Sequence, residues 1–270
     1  MALTNKITVA MTMLAASLAA PLAAETQPTL SAVAEGNHRS AAHIERNQFR
    51  HPVETLELFG IHPDMTVVEL WPGGGWYSEI LAPYLKPSGK FIAASFDTSG
   101  KPDSYRVRVG KKYQQKLSAD PANYGDAEVI VFNPPADAKL GVESSVDMVL
   151  TFRNLHNWAK AGTLEQVFQS AFDVLTPGGV FGVVEHRGPS GDNYASGYME
   201  QDAVIALAEK VGFRLAVASE INANPKDIKD YPRGVWTLPP VLALKDQDKA
   251  KYQAIGESDR MTLKFYKPEI

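Results

Sequence analysis

A buried strand that runs directly into a glycine-rich loop constrains the fold of this chain more than any other feature. Thr66–Leu70 reads Thr-Val-Val-Glu-Leu and follows the turn residues Pro63 and Asp64. The loop 71–75 contains three consecutive glycines, and the apolar residues after it recur at every fourth position, as in a helix. A strand-to-helix turn without Cβ atoms lets a ligand lie against the backbone. This pattern predicts an α/β fold with a ligand site at the turn.

Strand-like and helix-like segments alternate along the rest of the chain. We expect further strands at 90–96, 127–133, 146–152, 180–185, 213–219 and 262–266. Such alternation is typical of parallel βαβ units with helices on both faces of the sheet. No clear helix separates the last two strands, so we expect them to pair antiparallel at one edge. The prediction is a doubly wound, mostly parallel seven-stranded sheet with an antiparallel last strand, over residues 61–270.

The first 24 residues have the composition of a secretory signal peptide. A polar start with Lys6 precedes an apolar, Ala-rich run from Ile7 to Leu22, and small residues follow up to Ala24. The run is short of the strongly apolar residues that a spanning helix needs, although a membrane anchor is the alternative. We therefore expect cleavage after Ala24 and a periplasmic or secreted protein without a stable membrane span.

Residues 25–60 are polar and helix-like, and we interpret them as an N-terminal helical cap on the sheet. Four basic residues in it recur at roughly helical spacing: Arg39, His43, Arg46 and Arg50. Charges in such a row usually mark the solvated face of a helix, and we interpret these residues in that way.

Charge and composition exclude several classes of function. The formal net charge is −4 and no basic stretch is present, so we do not expect a nucleic-acid partner. The chain has no cysteine, which rules out disulfides and thiol-based metal or redox chemistry. No spacing of histidines and carboxylates matches a known metal motif, so we expect no metal site. The oligomeric state is left open.

Several short segments carry a family resemblance. They are Arg50–Pro52, Val67–Leu70, Pro72–Tyr77, Thr151–His156, Pro177–Gly179, Glu185–Arg187 and Leu263–Pro268. Their order resembles the class I S-adenosylmethionine (SAM)-dependent methyltransferases, and within them a group of predicted exported bacterial enzymes. The resemblance implies a Rossmann-like methyltransferase fold, SAM as cofactor and methyl transfer to a small-molecule acceptor.

The same resemblance assigns the cofactor-binding residues. Glu69 takes the acidic place of the family's first motif, and Gly73 and Gly75 take the second and third glycine places. Trp71 stands where the first glycine is expected. In the family a carboxylate at the end of the second strand binds the ribose; here Asp97 lies near that place, and it either contacts the ribose or caps a turn.

The candidate catalytic residue is His156, which follows the fourth predicted strand. The segment Asn154–Trp158 resembles the Leu-His-Asp-Trp segment of small-molecule O-methyltransferases, in which the histidine removes a proton from the acceptor. Imidazole titrates near neutrality and suits such a role. Asn157 stands in the place of the aspartate. Alternatively, His156 packs beside the nucleoside or caps the next helix without proton transfer.

Four further residues are candidates for binding substrate or supporting His156: Arg153, Asn154, Glu185 and His186. Arg153 could hold an anionic group through bidentate hydrogen bonds. Glu185 and His186 end the fifth predicted strand on the same side of the sheet, where they either orient substrate or form a satisfied polar pair.

Two other functions stay open. The first is a non-catalytic periplasmic protein that binds a small molecule on the same fold, since SAM supply outside the cytoplasm is doubtful. The second is an NAD-dependent oxidoreductase, which the antiparallel ending disfavours.

Overall fold

The strand that precedes the glycine-rich loop lies near the middle of a seven-stranded sheet. The computed structural model describes residues 26–189, 191 and 193–269, so the predicted signal peptide lies outside the described residues. The strands are β1 Thr66–Leu70, β2 Lys90–Ser95, β3 Glu128–Val131, β4 Val146–Phe152, β5 Leu175–His186, β6 Arg214–Ser219 and β7 Arg260–Tyr266. Their order in the sheet is β3-β2-β1-β4-β5-β7-β6. This order confirms the predicted fold.

Helices lie between most of the strands and before the first. They are α1 Leu30–Ala34, α2 Ala41–Ile44, α3 Asn47–Arg50, α4 Pro52–Phe59, α5 Ser78–Leu85, α6 Tyr105–Ala119, α7 Pro121–Tyr124, α8 Leu155–Lys160, α9 Leu164–Val174, α10 Gln201–Val211 and α11 Lys249–Ile255, with a 3₁₀ helix at Gly234–Thr237. None of the helices in the described part of the chain is long and apolar enough to cross a membrane.

The sheet is buried on both faces. Val67 and Val68 are adjacent in β1, are fully buried and belong to two different hydrophobic clusters. Successive side chains of a strand point to opposite faces, so one cluster lies on each side of the sheet. Both faces are therefore covered, as the near-continuous apolar runs of the parallel strands predict.

The fifth strand begins earlier than its apolar run suggests. Leu175 already pairs with Val146, and the regular register resumes at Val180 opposite Met148 after an irregularity. Gly178 adopts φ +79° within it. The two glycines after Pro177 therefore form a bulge inside the strand rather than a turn before it.

The last strand, β7, begins beside the end of β5. β7 runs antiparallel to both β5 and β6, and His186 is the register partner of Arg260. Because β1, β4 and β5 are parallel, their carboxyl ends share an edge of the sheet with the amino end of β7. Residues just before and within the start of β7 thus join the edge where ligands bind in open α/β sheets.

The N-terminal cap consists of four short helices, and two members of its basic row are buried while the other two are partly buried. Arg39 and Arg50 are each 4% exposed, so the interpretation of this row as a solvated face is wrong. The reason is pairing with distant carboxylates: Arg39 and His43 contact Glu79 at 3.2 and 2.9 Å. The ion pairs fix the cap across the carboxyl edge of the sheet.

Candidate active site

A cavity of about 730 Å³ opens at the carboxyl edge of the sheet. Seven segments line it: the cap helices, the glycine-rich loop, the segment 96–106 after β2, the end of β4 with the turn after it, the end of β5, the residues 235–241 and the residues around the start of β7. Of the predicted site residues, the cavity brings together Gly73, Arg153, Asn154, His156 and His186. Glu69, Gly75, Asp97 and Glu185 are not among its lining residues.

The glycines of the loop serve two different purposes. Gly73 adopts φ +60°, and a Cβ added at Gly73 or Gly74 would meet no atom within 4 Å. Gly75 adopts φ +80°, but a Cβ there would lie 2.8 Å from the ring of Tyr113. The open backbone face is therefore at Gly73 and Gly74, whereas Gly75 allows α6 to pack against the loop.

Glu69 lies beneath the loop rather than in the cavity. It is 3% exposed, and its Oε2 accepts a hydrogen bond from Ser78 Oγ at 2.6 Å. Ser78 in turn accepts one from the hydroxyl of Tyr113 at 2.9 Å. Burial raises the pKa of the Glu69 carboxyl to about 7, although the hydrogen bond from Ser78 acts in the opposite direction and lowers it. The structure thus shows Glu69 joining β1 to α5; its contact with a cofactor remains a prediction.

Glu69→Gln is expected to remove a loss of stability that occurs as pH rises from acid to neutral. The carboxyl titrates at about 7 in the folded chain against an ordinary 4.5, so the folded state keeps a proton that the unfolded state releases. Stability falls as pH rises through this window, by up to about 3 kcal/mol. Urea unfolding of both proteins at pH 5 and pH 8 measures the difference, and an identical pH dependence would contradict the expectation.

Trp71 replaces the expected glycine without blocking the turn. Its φ is +46°, the left-handed conformation that a glycine adopts most easily. Its indole Nε1 donates to the carbonyl of Phe132 at 2.8 Å, and its ring lies 4.9 Å from Phe96 and 4.8 Å from Trp158. The guanidinium of Arg106 lies 4.5 Å from the ring centre. Burial of the indole compensates the backbone strain, and Trp71 forms one wall of the cavity.

Asp97 lies on an exposed turn after β2. Its Oδ1 accepts the backbone N–H of Ser99 at 2.8 Å, so it caps this turn. The residues that line the cavity at this end are Phe96 and Arg106. Ribose contact by Asp97 therefore stays a prediction.

His156 is held by a buried carboxylate. It lies in the first turn of α8, is 5% exposed, and its Nδ1 is 3.2 Å from Oε1 of Glu185. Glu185 is fully buried and accepts the backbone N–H groups of Leu155 at 2.5 Å and His186 at 2.8 Å. Because Glu185 Oε1 is the acceptor of the contact with His156, it fixes the imidazole with Nδ1 as donor. Nε2 is then the atom free to accept a proton.

Asn154 ties the turn after β4 to the glycine-rich loop. Its Nδ2 donates to the carbonyls of Leu70 and Trp71 at 3.1 and 3.2 Å. Since Asn154 also precedes α8, these bonds set the position of His156 relative to the loop. Asn154 thus acts through backbone positioning as well as lining the cavity.

His186 is a neutral imidazole. Its Nδ1 is hydrogen-bonded to Ser258 Oγ at 2.5 Å. Burial, followed by the charges of His156, Arg260 and Arg153, lowers its pKa well below the usual range. It offers the cavity a polar group without adding positive charge.

His156, Glu185 and His186 are also close enough to hold a cation, because their ligand atoms lie within 4.8 Å of one another. However, Glu185 already accepts two backbone N–H groups and the His156 ring. The positive charges of Arg260 and Arg153 also contribute to lowering the pKa of His186, a member of the same cluster. These surroundings favour a proton acceptor over a metal ion.

The cavity also contains basic residues that the sequence interpretation missed. Arg46 and Arg50 of the cap contact Glu257 at 2.7 and 2.9 Å, and Arg260 pairs with the same carboxylate. Burial, reinforced by the charge of Arg260, lowers the pKa of Arg153 to about 10. Arg50 does belong to Arg50–Pro52, one of the segments that carry the family resemblance. However, no neighbouring residue indicates that Glu257 is its partner.

Comparison with solved structures identifies this architecture as the fold of class I methyltransferases. A SAM-dependent methyltransferase from Aquifex aeolicus aligns with TM-score 0.52 and 17% identity, over 66% of this chain and 87% of that one. An arsenic(III) SAM methyltransferase from Chlamydomonas reinhardtii aligns with TM-score 0.51 and 17% identity, over 91% and 75%. The cyclase SpnF aligns with TM-score 0.56 and 14% identity, over 87% and 85%.

Sequence comparison adds no assignment: no protein-family model matches the chain, and no curated protein matches it significantly. At these low identities the structural likeness establishes the fold alone. One of the similar structures is a cyclase, so the reaction has to be argued from the site.

Proposed function

We propose that this protein is a SAM-dependent methyltransferase that acts on a small-molecule acceptor. The observation that carries the proposal is the pairing of His156 with the buried Glu185 in a cavity that also exposes the backbone of Gly73 and Gly74. A proton acceptor and an open glycine turn lie at the same edge of a methyltransferase fold. SAM supplies an electrophilic methyl group when it is bound.

The residues present fit such a cofactor. A side chain at Gly73 or Gly74 would occupy open space, which is the requirement for a nucleoside that lies on the loop. Phe96 and Trp71 offer flat apolar surfaces beside it. The volume of about 730 Å³ is within the range of small-molecule sites.

In the proposed reaction the chain contributes positioning and one proton transfer. The cavity walls hold the acceptor, and His156 Nε2 takes the proton of its nucleophilic group. Glu185 stabilises the resulting imidazolium through the hydrogen bond at Nδ1. Asn154 keeps α8 at a fixed distance from the loop.

Calorimetry on the chain from residue 25 is the direct test. We expect binding of SAM and of its demethylated product, S-adenosylhomocysteine, and no binding of NAD. Gly74→Val is expected to weaken binding of both sulfur compounds at least about a hundredfold, since the side chain would occupy open space on the loop without meeting other protein atoms at its Cβ. An unchanged melting temperature of the variant is the control.

The opposite results are equally informative. No heat with either sulfur compound at millimolar concentration would refute the proposal, and binding of NAD alone would support an oxidoreductase. Asp97→Ala in the same titration tests the ribose contact, which is refuted if the affinity does not change.

We further propose that the protein is exported and cleaved after Ala24, as the composition of residues 1–24 indicates. Intact mass of the protein recovered from outside the cytoplasm would test this. A full-length mass and a cytoplasmic location would contradict it and would remove the question of SAM supply.

One observation favours a binding protein as the second candidate. The indole of Trp71 fills space at the ends of β1 and β3, where it contacts Phe132 and Phe96. A chain that had lost SAM binding could have filled its nucleoside site in this way. Trp71→Gly separates the two candidate functions. SAM should bind more tightly to this variant than to the wild type if the indole obstructs the nucleoside site.

A further inference from the structure

Four arginines gather at one end of the cavity, and we call them the arginine cluster: Arg46, Arg50, Arg153 and Arg260. They come from the cap, the turn after β4 and the start of β7. Glu257 is the one acidic residue among the described residues that line the cavity. Three members of the cluster share this single carboxylate. The cluster therefore carries a large excess of positive charge.

Part of its hydrogen-bonding capacity is unused. Arg50 and Arg260 are 4% and 2% exposed, and within the described residues Arg50 Nη1 and Arg260 Nε are buried without a partner. The guanidinium of Arg153 forms no ion pair or side-chain hydrogen bond to any described residue. Buried donors of this kind are costly unless something accepts from them. Beside so many positive charges, an acceptor that carries negative charge is the best match.

We propose that the arginine cluster binds the anionic group, a carboxylate or phosphate, of the methyl acceptor. This inference rests on the proposed function and names its substrate class: an organic anion. Guanidinium groups match both oxyanions bidentately. The negative charge would balance the excess positive charge of the cluster, and the guanidinium of Arg153 would donate to the oxyanion.

The position of the cluster favours the acceptor over the cofactor. Arg260 is the register partner of His186, and Arg153 lies three residues before His156. The anionic group would thus lie beside the candidate base. The neighbouring rim is apolar, with Trp236 5.7 Å from the His156 ring and Val241 55% exposed. An acceptor with an apolar body and one anionic group fits both surfaces.

The test uses small aromatic probes and calorimetry on the protein from residue 25. Phenyl phosphate and benzoate distinguish the two oxyanions, and neutral benzamide reports the apolar contact alone. We expect one of the anions to bind at least about tenfold more tightly than benzamide. Arg153→Gln should remove this preference, and Arg153→Lys should retain part of it. Arg214→Gln, which removes an equal charge from an exposed position in β6, should leave it unchanged.

Three outcomes would overturn the inference. Equal affinity for anions and benzamide would refute an oxyanion site, and so would an Arg153→Gln variant that keeps the preference. Competition between S-adenosylhomocysteine and the anionic probe, with weaker cofactor binding in Arg153→Gln, would assign the cluster to the cofactor's carboxylate instead. If neither sulfur compound binds, the proposed function fails, whereas the comparison of probes still decides whether the cluster binds anions.

Discussion

Glu257→Gln is expected to lower the free energy of unfolding by about 3–5 kcal/mol. The carboxylate is 2% exposed and accepts from Arg46 at 2.7 Å and Arg50 at 2.9 Å, and it also pairs with Arg260. A neutral amide would leave three guanidinium groups together without a counter-charge. Because Arg46 and Arg50 belong to the cap, the cap should also lose its attachment to the sheet. Urea unfolding followed by circular dichroism measures the change.

Glu165→Gln is the matched control for this experiment. Glu165 pairs with Lys210 at 2.6 Å, but the two side chains are 58% and 63% exposed. Exposed pairs contribute at most about 1 kcal/mol. Similar losses in the two variants would show that the buried network is not what holds the cap. If added phosphate raises the free energy of unfolding of the wild type but not that of an Arg153→Gln protein, the network is linked to the anion site.

The sheet could be predicted because its determinants are local. The apolar run of β4 and the strand before the glycine-rich loop have the predicted bounds, Val146–Phe152 and Thr66–Leu70. Each is a short apolar segment between turn residues, so the neighbouring sequence suffices to place it. The antiparallel ending was predicted from the lack of a clear helical pattern between the last two strands; the pairing is confirmed, although α11 Lys249–Ile255 does lie between them. The largest error is at the start of β5, because a bulge containing two glycines resembles a turn; the bounds of β3 and β7 differ by at most two residues.

The candidate site could be predicted only in part. His156 and Arg153 follow β4, and strand ends meet at one edge, so the topology alone brings them together. Glu69 and Asp97 were assigned by motif position, but the structure places one beneath the loop and the other on an exposed turn. A motif position fixes where a residue lies along the backbone. The contacts of its side chain depend on neighbours such as Ser78 and Ser99.

The buried arginines could not have been found from a local pattern. A row of basic residues at helical spacing looks the same whether it faces water or a distant carboxylate. The partner of Arg50 is Glu257, 207 residues later in the chain. Nothing near either residue indicates the other. Pairing over such a distance is a property of the topology, and it determines here which end of the cavity is cationic.

His156→Ala is expected to lower kcat by about 10²–10⁴-fold, the usual contribution of a positioned general base. The variant removes the imidazole that Glu185 orients, and leaves the glycine-rich loop and the arginine cluster in place. S-adenosylhomocysteine should therefore bind with unchanged affinity, which separates a loss of chemistry from a loss of folding. Formation of S-adenosylhomocysteine with an organic-anion acceptor, found by screening with wild type, measures turnover.

The matched control is His62→Ala, which removes an exposed histidine outside the cavity and should leave turnover unchanged. The pH–rate profile gives a second, independent readout. If His156 accepts the proton, the wild-type rate should fall at acid pH as imidazole becomes protonated, and this limb should disappear in His156→Ala. Full turnover in the variant would reduce His156 to a packing residue. The methyl transfer would then depend on positioning alone, which the cavity and the buried Glu185 network would still supply.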